Sequence, residues 1–169
     1  MDFWFFYVFE YTLSAFQFFL ICAFANSVYP NSKNIFTSMN ETTGHDGVFI
    51  ITHSDVERYY EHFNPVILKY DRKTDVGGMA SFNYGECKGM TFDRVLLYPT
   101  KLLVAFLSGE QLKTQEKSYV AVTRPKYSLA IVVDKLPAST AFEPATISCA
   151  NGNIHALRFM DALGKPIPS

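Results

Sequence analysis

Two short stretches of the sequence carry residue types that phosphate chemistry uses. The first, GECKGM, contains Gly85, Lys88 and Gly89. Glycine lets the backbone approach a phosphate closely, and a lysine ammonium makes charge-assisted hydrogen bonds to phosphate oxygens. However, the GxxxxGK[ST] pattern of a phosphate-binding P-loop occurs nowhere in the 169 residues. The stretch therefore suits a phosphate or nucleic-acid contact, and the alternative is a tight turn with a solvated lysine.

The second stretch, YVAVTRPK, contains Thr123 and Arg124 followed by Pro125. Apolar residues at helical spacing precede the threonine, so Thr123 and Arg124 are expected at the end of a packed helix. A planar, always charged guanidinium at such a position suits phosphate recognition. The competing interpretation is a surface arginine paired with a carboxylate.

The elements that must position these residues follow from the apolar pattern. Four apolar, β-branched runs predict buried strands: residues 48–52, 66–70, 94–99 and 128–134. Four segments are predicted to be helical: residues 14–29, 54–63 with Ser54 as its N-cap, 101–109 and 112–124. All-apolar strands that alternate with helices are typical of a parallel sheet with both faces covered, so the predicted class is α/β. Ligands in such folds collect beyond the carboxyl ends of the strands.

Composition narrows the classes of function. The net charge is −1, so nucleic-acid binding must rest on a local patch rather than on bulk attraction. The cysteines Cys22, Cys87 and Cys149 form no CxxC pair, and the histidines show no metal-ligand spacing. Neither a disulfide framework nor a metal site is expected, and a reducing, cytoplasmic compartment is the simpler interpretation.

The N-terminal segment is crowded with aromatic side chains and has no Lys or Arg before Lys33. A signal peptide is disfavoured because it needs a basic start. The apolar run nearly reaches the ~20 residues of a membrane-spanning helix. Glu10, Gln17 and the lack of flanking basic anchors weigh against that interpretation. Membrane association through residues 3–25 therefore stays as an alternative to a buried apolar segment.

Taken together, GECKGMTFDRVLLYP and SYVAVTRPKYSLAIV resemble two motifs of the C-terminal motor domain of UvrD-like superfamily 1 helicases. The upstream ICAFANSVYP is similar to the stretch that follows the family's fourth motif. The resemblance covers about residues 20–134. It implies a RecA-like three-layer sandwich with a mainly parallel sheet, present as a partial domain. Residues 1–25 are then an aromatic apolar segment that need not belong to the family, 26–134 the second RecA-like domain, and 135–169 an irregular C-terminal extension.

The resemblance also implies roles for individual residues. In that family ATP binds between two RecA-like domains, and the second domain supplies arginines that stabilise charge on the transferring phosphoryl group. Arg124 matches the catalytic arginine of the family. The residues implied at the nucleotide cleft are Gly89, Thr91, Thr123 and Arg124. The residues implied to bind nucleic acid are Asn83, Gly85 and Lys88.

Departures from the family pattern limit what the chain can do alone. The P-loop and the Walker B acidic pair are missing, the arginine expected before ICAFAN is absent, and Thr91 replaces a common glutamate. ATP and Mg²⁺ are therefore expected only if a P-loop domain is supplied in trans, and the chain is expected to be inactive as an ATP-dependent DNA helicase in isolation. The expected partners are single-stranded or duplex DNA and a separate ATPase domain or subunit, and a membrane is not expected.

Two alternatives to the motor domain stay open. One is a non-catalytic nucleic-acid or protein-binding module that keeps a RecA-like fold. Such a module needs exposed aromatic rings beside basic residues, and the candidates are Tyr70, Arg72, Lys73, Tyr84 and Lys88. The other is a small membrane-anchored protein that uses residues 3–25.

Overall fold

The computed structural model describes residues 20–29, 43–110 and 116–160, and this part of the chain contains seven strands and four α-helices. The strands are β1 (Gly47–Thr52), β2 (Val66–Lys69), β3 (Ser81–Asn83), β4 (Phe92–Tyr98), β5 (Pro125–Val133), β6 (Phe142–Cys149) and β7 (Gly152–Phe159). The helices are α1 (residues 20–28), α2 (Val56–Phe63), α3 (Lys101–Leu107) and α4 (Glu116–Val122). Predictions that fall on residues 1–19, 30–42, 111–115 and 161–169 lie outside the described residues.

All seven strands belong to one sheet, in the order β3-β2-β4-β5-β1-β7-β6. The five strands from β3 to β1 are parallel, and β7 and β6 continue the sheet as an antiparallel hairpin. The predicted α/β class with a mainly parallel sheet is therefore confirmed.

Helices cover both faces of the sheet because the central strands are apolar on both sides. In β1, Val48 and Ile50 pack with α1, α3 and α4, on what we call the three-helix face. Phe49 and Ile51 point the other way and pack with α2, on what we call the α2 face. Fully burying such a side chain stabilises the fold by about 1.5–3 kcal/mol. The result is three layers, which is consistent with a RecA-like domain.

The prediction of an irregular segment over residues 135–169 is wrong for residues 142–159. These residues form the β6–β7 hairpin, which pairs with β1 and so extends the sheet beyond residue 134. Its apolar residues are divided between the two faces: Phe142 and Phe159 join the three-helix face, while Ile147 and Ile154 join the α2 face. This division weakens the alternation in the sequence, although the Asn-Gly pair at the turn into β7 is a hairpin signal that could have revealed the strands.

Three smaller predictions also differ from the structure. Ser54 is not the N-cap of α2, because residues His53–Asp55 form a 3₁₀ turn and the α-helix begins at Val56. The three-residue strand β3 is not among the four predicted strands, since so short an edge strand leaves little pattern. Strand β5 begins at Pro125 rather than at residue 128, because the missing N–H of proline is tolerated at the first residue of a strand.

Within the described residues, none of the helices has the length and apolar character that crossing a membrane requires. Of the alternative anchor at residues 3–25, residues 3–19 lie outside the described part of the chain.

Candidate functional site

Residues 84–91, which we call the crossover loop, connect the carboxyl end of β3 to the amino end of β4. Since β2 lies between these two parallel strands, the loop crosses β2. Two buried side chains attach it to the three-helix face. The Tyr84 hydroxyl donates to the Tyr98 carbonyl at 2.8 Å, and the Cys87 thiol donates to the Tyr84 carbonyl at 3.1 Å. Burial raises the pKa of both groups, so both stay protonated as donors.

Arg124 joins the end of α4 to the crossover loop. Its Nε donates to the Val120 carbonyl at 2.8 Å, and its Nη1 donates to the Met90 carbonyl at 3.0 Å. Nη2 donates to Thr123 Oγ1 at 2.9 Å. The Arg124 carbonyl in turn accepts the Phe92 N–H at 2.9 Å. The two stretches that the sequence singled out therefore form one unit at the amino ends of β4 and β5.

The four residues implied at the nucleotide cleft lie around this unit. Gly89 and Thr91 are exposed and flank Met90, whose carbonyl Arg124 contacts. Gly89 has a φ of +82°, a backbone conformation that favours glycine. A Cβ at this position would meet nothing within 4 Å, so the conformation and not the available space favours glycine. The Thr123 hydroxyl donates to the Tyr119 and Val120 carbonyls, at 3.0 and 3.1 Å, and so closes α4.

The three residues implied to bind nucleic acid line a common cleft of about 490 Å³. We call it the β2–β3 cleft, because it lies where β2 and β3 end. Asn83, Gly85 and Lys88 line it from the end of β3 and the crossover loop, Tyr70 and Arg72 from the segment after β2, and Val120 from α4. The cleft begins at the carboxyl end of β3, whereas Arg124 lies at the amino end of β5. The crossover loop and the last turn of α4 connect the cleft to Arg124.

The charge of the β2–β3 cleft is opposite in sign to that of the whole chain. Its charged lining residues are Arg72, Lys88 and Asp71, which sum to +1, against −1 for all 169 residues. Asp71 Oδ1 accepts the Lys73 N–H at 3.0 Å, so this carboxylate is partly satisfied by backbone. The residues predicted to bind nucleic acid therefore lie beside a small local excess of positive charge.

Asn83 donates its backbone N–H to Glu86 Oε2 at 2.8 Å, at the edge of the cleft. This backbone hydrogen bond lowers the pKa of Glu86. Asn83 Oδ1 is buried and accepts no hydrogen bond within the described residues. A buried acceptor without a donor costs about 1–3 kcal/mol of folding free energy.

A buried polar cluster at the amino end of the sheet was missed by sequence reasoning. The His45 ring stacks between Phe49 and Phe63, with centroids at 4.4 and 3.9 Å. Arg94 donates to the His45 carbonyl at 2.6 Å and to Ser128 Oγ at 3.0 Å. Arg94, a basic residue at the start of the apolar run 94–99, was the feature of the sequence that could have indicated this cluster. The cluster ties residues 43–46, β4, β5 and α2 together, and its arginine is occupied by these contacts.

No protein-family model matches the chain, and no curated protein matches it. Among solved structures, arterivirus nonstructural protein 10 (helicase) is 20% identical, covering 67% of this chain and 22% of its own, with a TM-score of 0.40. The PRRSV helicase is 17% identical, covering 87% of this chain and 30% of its own, with a TM-score of 0.42. Methylated PRRSV nsp10 (helicase) is 16% identical, covering 88% and 31%, also at 0.42. The chain spans less than a third of the length of each.

Proposed function

We propose that this chain is the second motor domain of a UvrD-like superfamily 1 DNA helicase that acts in the cytoplasm. In this role it supplies Arg124 and the crossover loop to an ATP cleft and to a single-stranded DNA path. The observation that carries the proposal is the contact between Arg124 Nη1 and the Met90 carbonyl at 3.0 Å. It joins the two stretches that resemble the family's motifs, although more than 30 residues of chain separate them.

The chemistry of Arg124 fits a phosphoryl group better than a metal ion. A guanidinium has five N–H donors, and contacts within the described residues use three of them. The others can reach an anion brought from outside. Arg124 offers donors, whereas Mg²⁺ takes oxygen ligands, so this side of the ATP cleft suits phosphate oxygens and the metal ligands must come from another domain. When ATP is bound between two such domains, it supplies the phosphoryl group on which charge develops.

The crossover loop gives the proposed domain its second contact. The same loop that accepts the Arg124 hydrogen bond also carries Gly85 and Lys88 to the β2–β3 cleft. A single strand seated in that cleft therefore touches a segment that Arg124 holds. We propose that a separate ATPase domain or subunit completes the ATP cleft, because this chain has no P-loop of its own.

Equilibrium binding to single-stranded DNA tests the nucleic-acid half of the proposal. We expect a fluorescently labelled oligonucleotide to gain anisotropy at low salt and to lose it as salt rises, because Lys and Arg displace condensed counterions. Lys88→Ala should weaken binding and flatten the salt dependence. The matched control is Lys126→Ala, an exposed lysine at the amino end of β5 that pairs with Asp93 at 3.2 Å. No binding at low salt, or equal losses in the two variants, would contradict the assignment.

Measurement of ATP turnover tests the part of the proposal that concerns the ATP cleft. The chain alone should show none, with or without single-stranded DNA. A P-loop motor domain of a UvrD-like helicase added in trans should hydrolyse ATP faster with the wild-type chain than with Arg124→Ala. ATP turnover by the isolated chain that is abolished by Arg124→Ala would overturn the claim that this chain needs a separate P-loop domain to form the ATP site.

A non-catalytic nucleic-acid-binding module is the second candidate, and the net positive β2–β3 cleft together with the missing P-loop favours it. The two candidates differ in what Arg124 does. If the chain is only a binding module, adding it should not raise the ATP turnover of a P-loop domain supplied in trans. In a motor domain its ATP turnover rises and depends on Arg124.

A further inference from the structure

We infer that Tyr84 is a positioning residue of the crossover loop: its hydroxyl fixes the turn that carries Lys88 and so prepares that turn to contact single-stranded DNA. The inference rests on the nucleic-acid path of the proposed function and deepens it. It names the residue on which the geometry of the Lys88 contact depends, although Tyr84 makes no contact with the bound strand itself.

The Tyr84 ring is buried, although the sequence offered it as a ring on which bases could stack. The residue is 2% exposed and belongs to the apolar core of the three-helix face. A stacking platform needs an open ring face, so Tyr84 cannot serve as one. Its role follows instead from its polar atoms.

Tyr84 ties the start of the crossover loop to two other strands. Its N–H donates to the Lys69 carbonyl at the end of β2, at 3.0 Å. Its hydroxyl donates to the Tyr98 carbonyl at the end of β4, at 2.8 Å. Lys69 and Tyr98 are partners in the β2–β4 register, so both acceptors lie at the carboxyl end of the parallel strands. The loop therefore begins from a point that is fixed on β2 and on β4.

A series of hydrogen bonds leads from Tyr84 to the turn that carries Lys88. The Cys87 thiol donates to the Tyr84 carbonyl at 3.1 Å, and the Met90 N–H donates to the Cys87 carbonyl at 3.0 Å. Lys88 lies between Cys87 and Met90, in the turn that the second bond closes. The position of this turn therefore depends on Tyr84 at its start, and Arg124 holds the Met90 carbonyl at its other end.

Burial divides the crossover loop into anchors and exposed residues. Tyr84 and Cys87 are buried, whereas the other six residues of the loop are exposed. An exposed loop loses conformational entropy when it binds a strand, and a loop that is already ordered loses less. The Tyr84 hydroxyl should therefore raise the affinity for a single strand without making a contact of its own.

Tyr84→Phe tests the hydroxyl, because this change removes one hydrogen bond and keeps the ring. We expect the affinity for a labelled single-stranded oligonucleotide at low salt to fall about three- to tenfold, which corresponds to one net hydrogen bond. The salt dependence should match that of the wild-type chain, because the number of phosphate contacts is the same. Unchanged affinity would overturn the inference, and so would a flattened salt dependence, which would mean that a phosphate contact had been lost.

Tyr59→Phe is the matched control. The Tyr59 hydroxyl is also buried, and it is hydrogen-bonded to His45 Nε2 at 2.9 Å on the α2 face, the opposite face of the sheet. Both variants should unfold at lower urea concentrations than the wild-type chain. Only Tyr84→Phe should weaken oligonucleotide binding, at a temperature where circular dichroism shows both to be folded. Equal losses of affinity in the two variants would assign the effect to general destabilisation and not to positioning.

A double-mutant cycle with Lys88→Ala shows whether Tyr84 acts through Lys88. In the Lys88→Ala background, Tyr84→Phe should change the affinity by less than about twofold, because the turn no longer carries the side chain that it positions. If the two changes instead weaken binding independently, so that their fold-losses multiply, Tyr84 does not act through Lys88 and the inference is wrong.

Hydrogen exchange of the free chain separates the inference from the proposed function. Amides 85–90 should exchange faster in Tyr84→Phe than in the wild-type chain or in Tyr59→Phe. If DNA binding depends on Lys88 but neither binding nor exchange responds to Tyr84→Phe, the proposed function stands and the positioning role is wrong. If Tyr84→Phe speeds exchange but the wild-type chain binds no single-stranded DNA at low salt, Tyr84 anchors the loop, whereas the nucleic-acid half of the proposed function fails together with the role of Tyr84 in binding.

Discussion

The Arg124 side chain faces inward in the isolated chain, where it stabilises its own domain. Three hydrogen bonds to Val120, Met90 and Thr123 hold it, and each is worth about 0.5–1.5 kcal/mol net. An outside phosphate must compete with these contacts or use the remaining N–H groups. The position of the arginine thus also determines how firmly the crossover loop is held.

Arg124→Lys is expected to loosen the crossover loop while it keeps the charge. Lysine has no planar fork, so it cannot contact the Val120 and Met90 carbonyls together. We expect faster hydrogen exchange of amides 88–92 and a loss of about 1–2 kcal/mol in the free energy of unfolding. Lys126→Ala is the control, since its exposed ion pair with Asp93 should contribute less than about 1 kcal/mol. Unchanged exchange in Arg124→Lys would show that the arginine does not hold the loop.

His45 is expected to make the fold sensitive to acid. Burial, and next the Arg94 guanidinium, lower the pKa of His45 from 6.5 to about 3, with smaller contributions from Arg158 and His62. Between these two values the unfolded chain binds a proton that the folded chain does not. Stability is therefore full above pH 6.5 and falls as the pH drops towards 3, by an upper limit of about 2–3 kcal/mol near pH 4.5.

Chemical denaturation across this pH range checks the expectation. His45→Phe keeps a ring between Phe49 and Phe63 but cannot titrate, so its stability should vary less between pH 6.5 and 4.5. His155→Gln removes an exposed histidine and should follow the wild-type curve. If the stability of His45→Phe falls with pH as steeply as that of the wild-type chain, the acid sensitivity comes from other groups.

At the scale of elements, the β6–β7 hairpin depends on one backbone conformation. Gly152 begins β7 with a φ of +111°, which residues with a Cβ rarely adopt. The turn before it is also held on α2, because His62 Nδ1 accepts the Ala150 N–H at 3.1 Å and Glu61 accepts from Asn151 at 3.2 Å. The hairpin is thus positioned by its turn as well as by its pairing with β1.

Gly152→Ala is expected to destabilise the protein by about 1–2 kcal/mol, because the methyl group opposes the positive φ. Gly85→Ala is the matched control, since its φ is not positive and a Cβ there meets nothing within 4 Å. Thermal unfolding of the two variants measures the difference. Equal midpoints would mean that the turn relaxes at no cost.

Elements with a continuous apolar pattern could be predicted from the sequence, and those with a divided pattern could not. The strands β1 and β5 are buried on both faces, so their composition alone reveals them. In β6 and β7 the apolar residues serve two faces and alternate with exposed Thr, Ser and His, so no single period stands out. The motif pattern singled out Asn83, Gly85, Lys88 and Arg124 as a candidate site. Tyr70 and Arg72 were predicted from their residue types alone, as an aromatic ring beside a basic residue, and only the fold shows that they line the same cleft as Lys88.

At the scale of the whole molecule, α1 and the β6–β7 hairpin pack against each other although they lie at opposite ends of the described chain. Phe24 of α1 meets Phe142 and Phe159 edge to face, with centroids at 6.3 and 5.3 Å. Phe24 is fully buried. This aromatic contact joins the antiparallel end of the sheet to the three-helix face.

Phe24→Ala should therefore destabilise the whole fold by about 3–5 kcal/mol, as expected for a buried phenylalanine. Phe82→Ala is the comparison, because Phe82 lies on the edge strand β3 and is 40% exposed. Its loss should cost less than about 1.5 kcal/mol, including its stacking on Phe92. Urea unfolding, followed by circular dichroism, gives both values, and similar losses would contradict a central role for α1.

The position of β1 has a consequence for how the chain folds during synthesis. Among the described strands β1 is the first to leave the ribosome, yet its two neighbours are β5 and β7, the former about 70 residues further on. At a typical ~5–20 residues per second, both edges of this apolar strand stay unpaired for roughly 4–15 s. The nascent chain thus exposes an aggregation-prone segment until β5 has emerged, and we expect its yield to depend on chaperones that shield such segments.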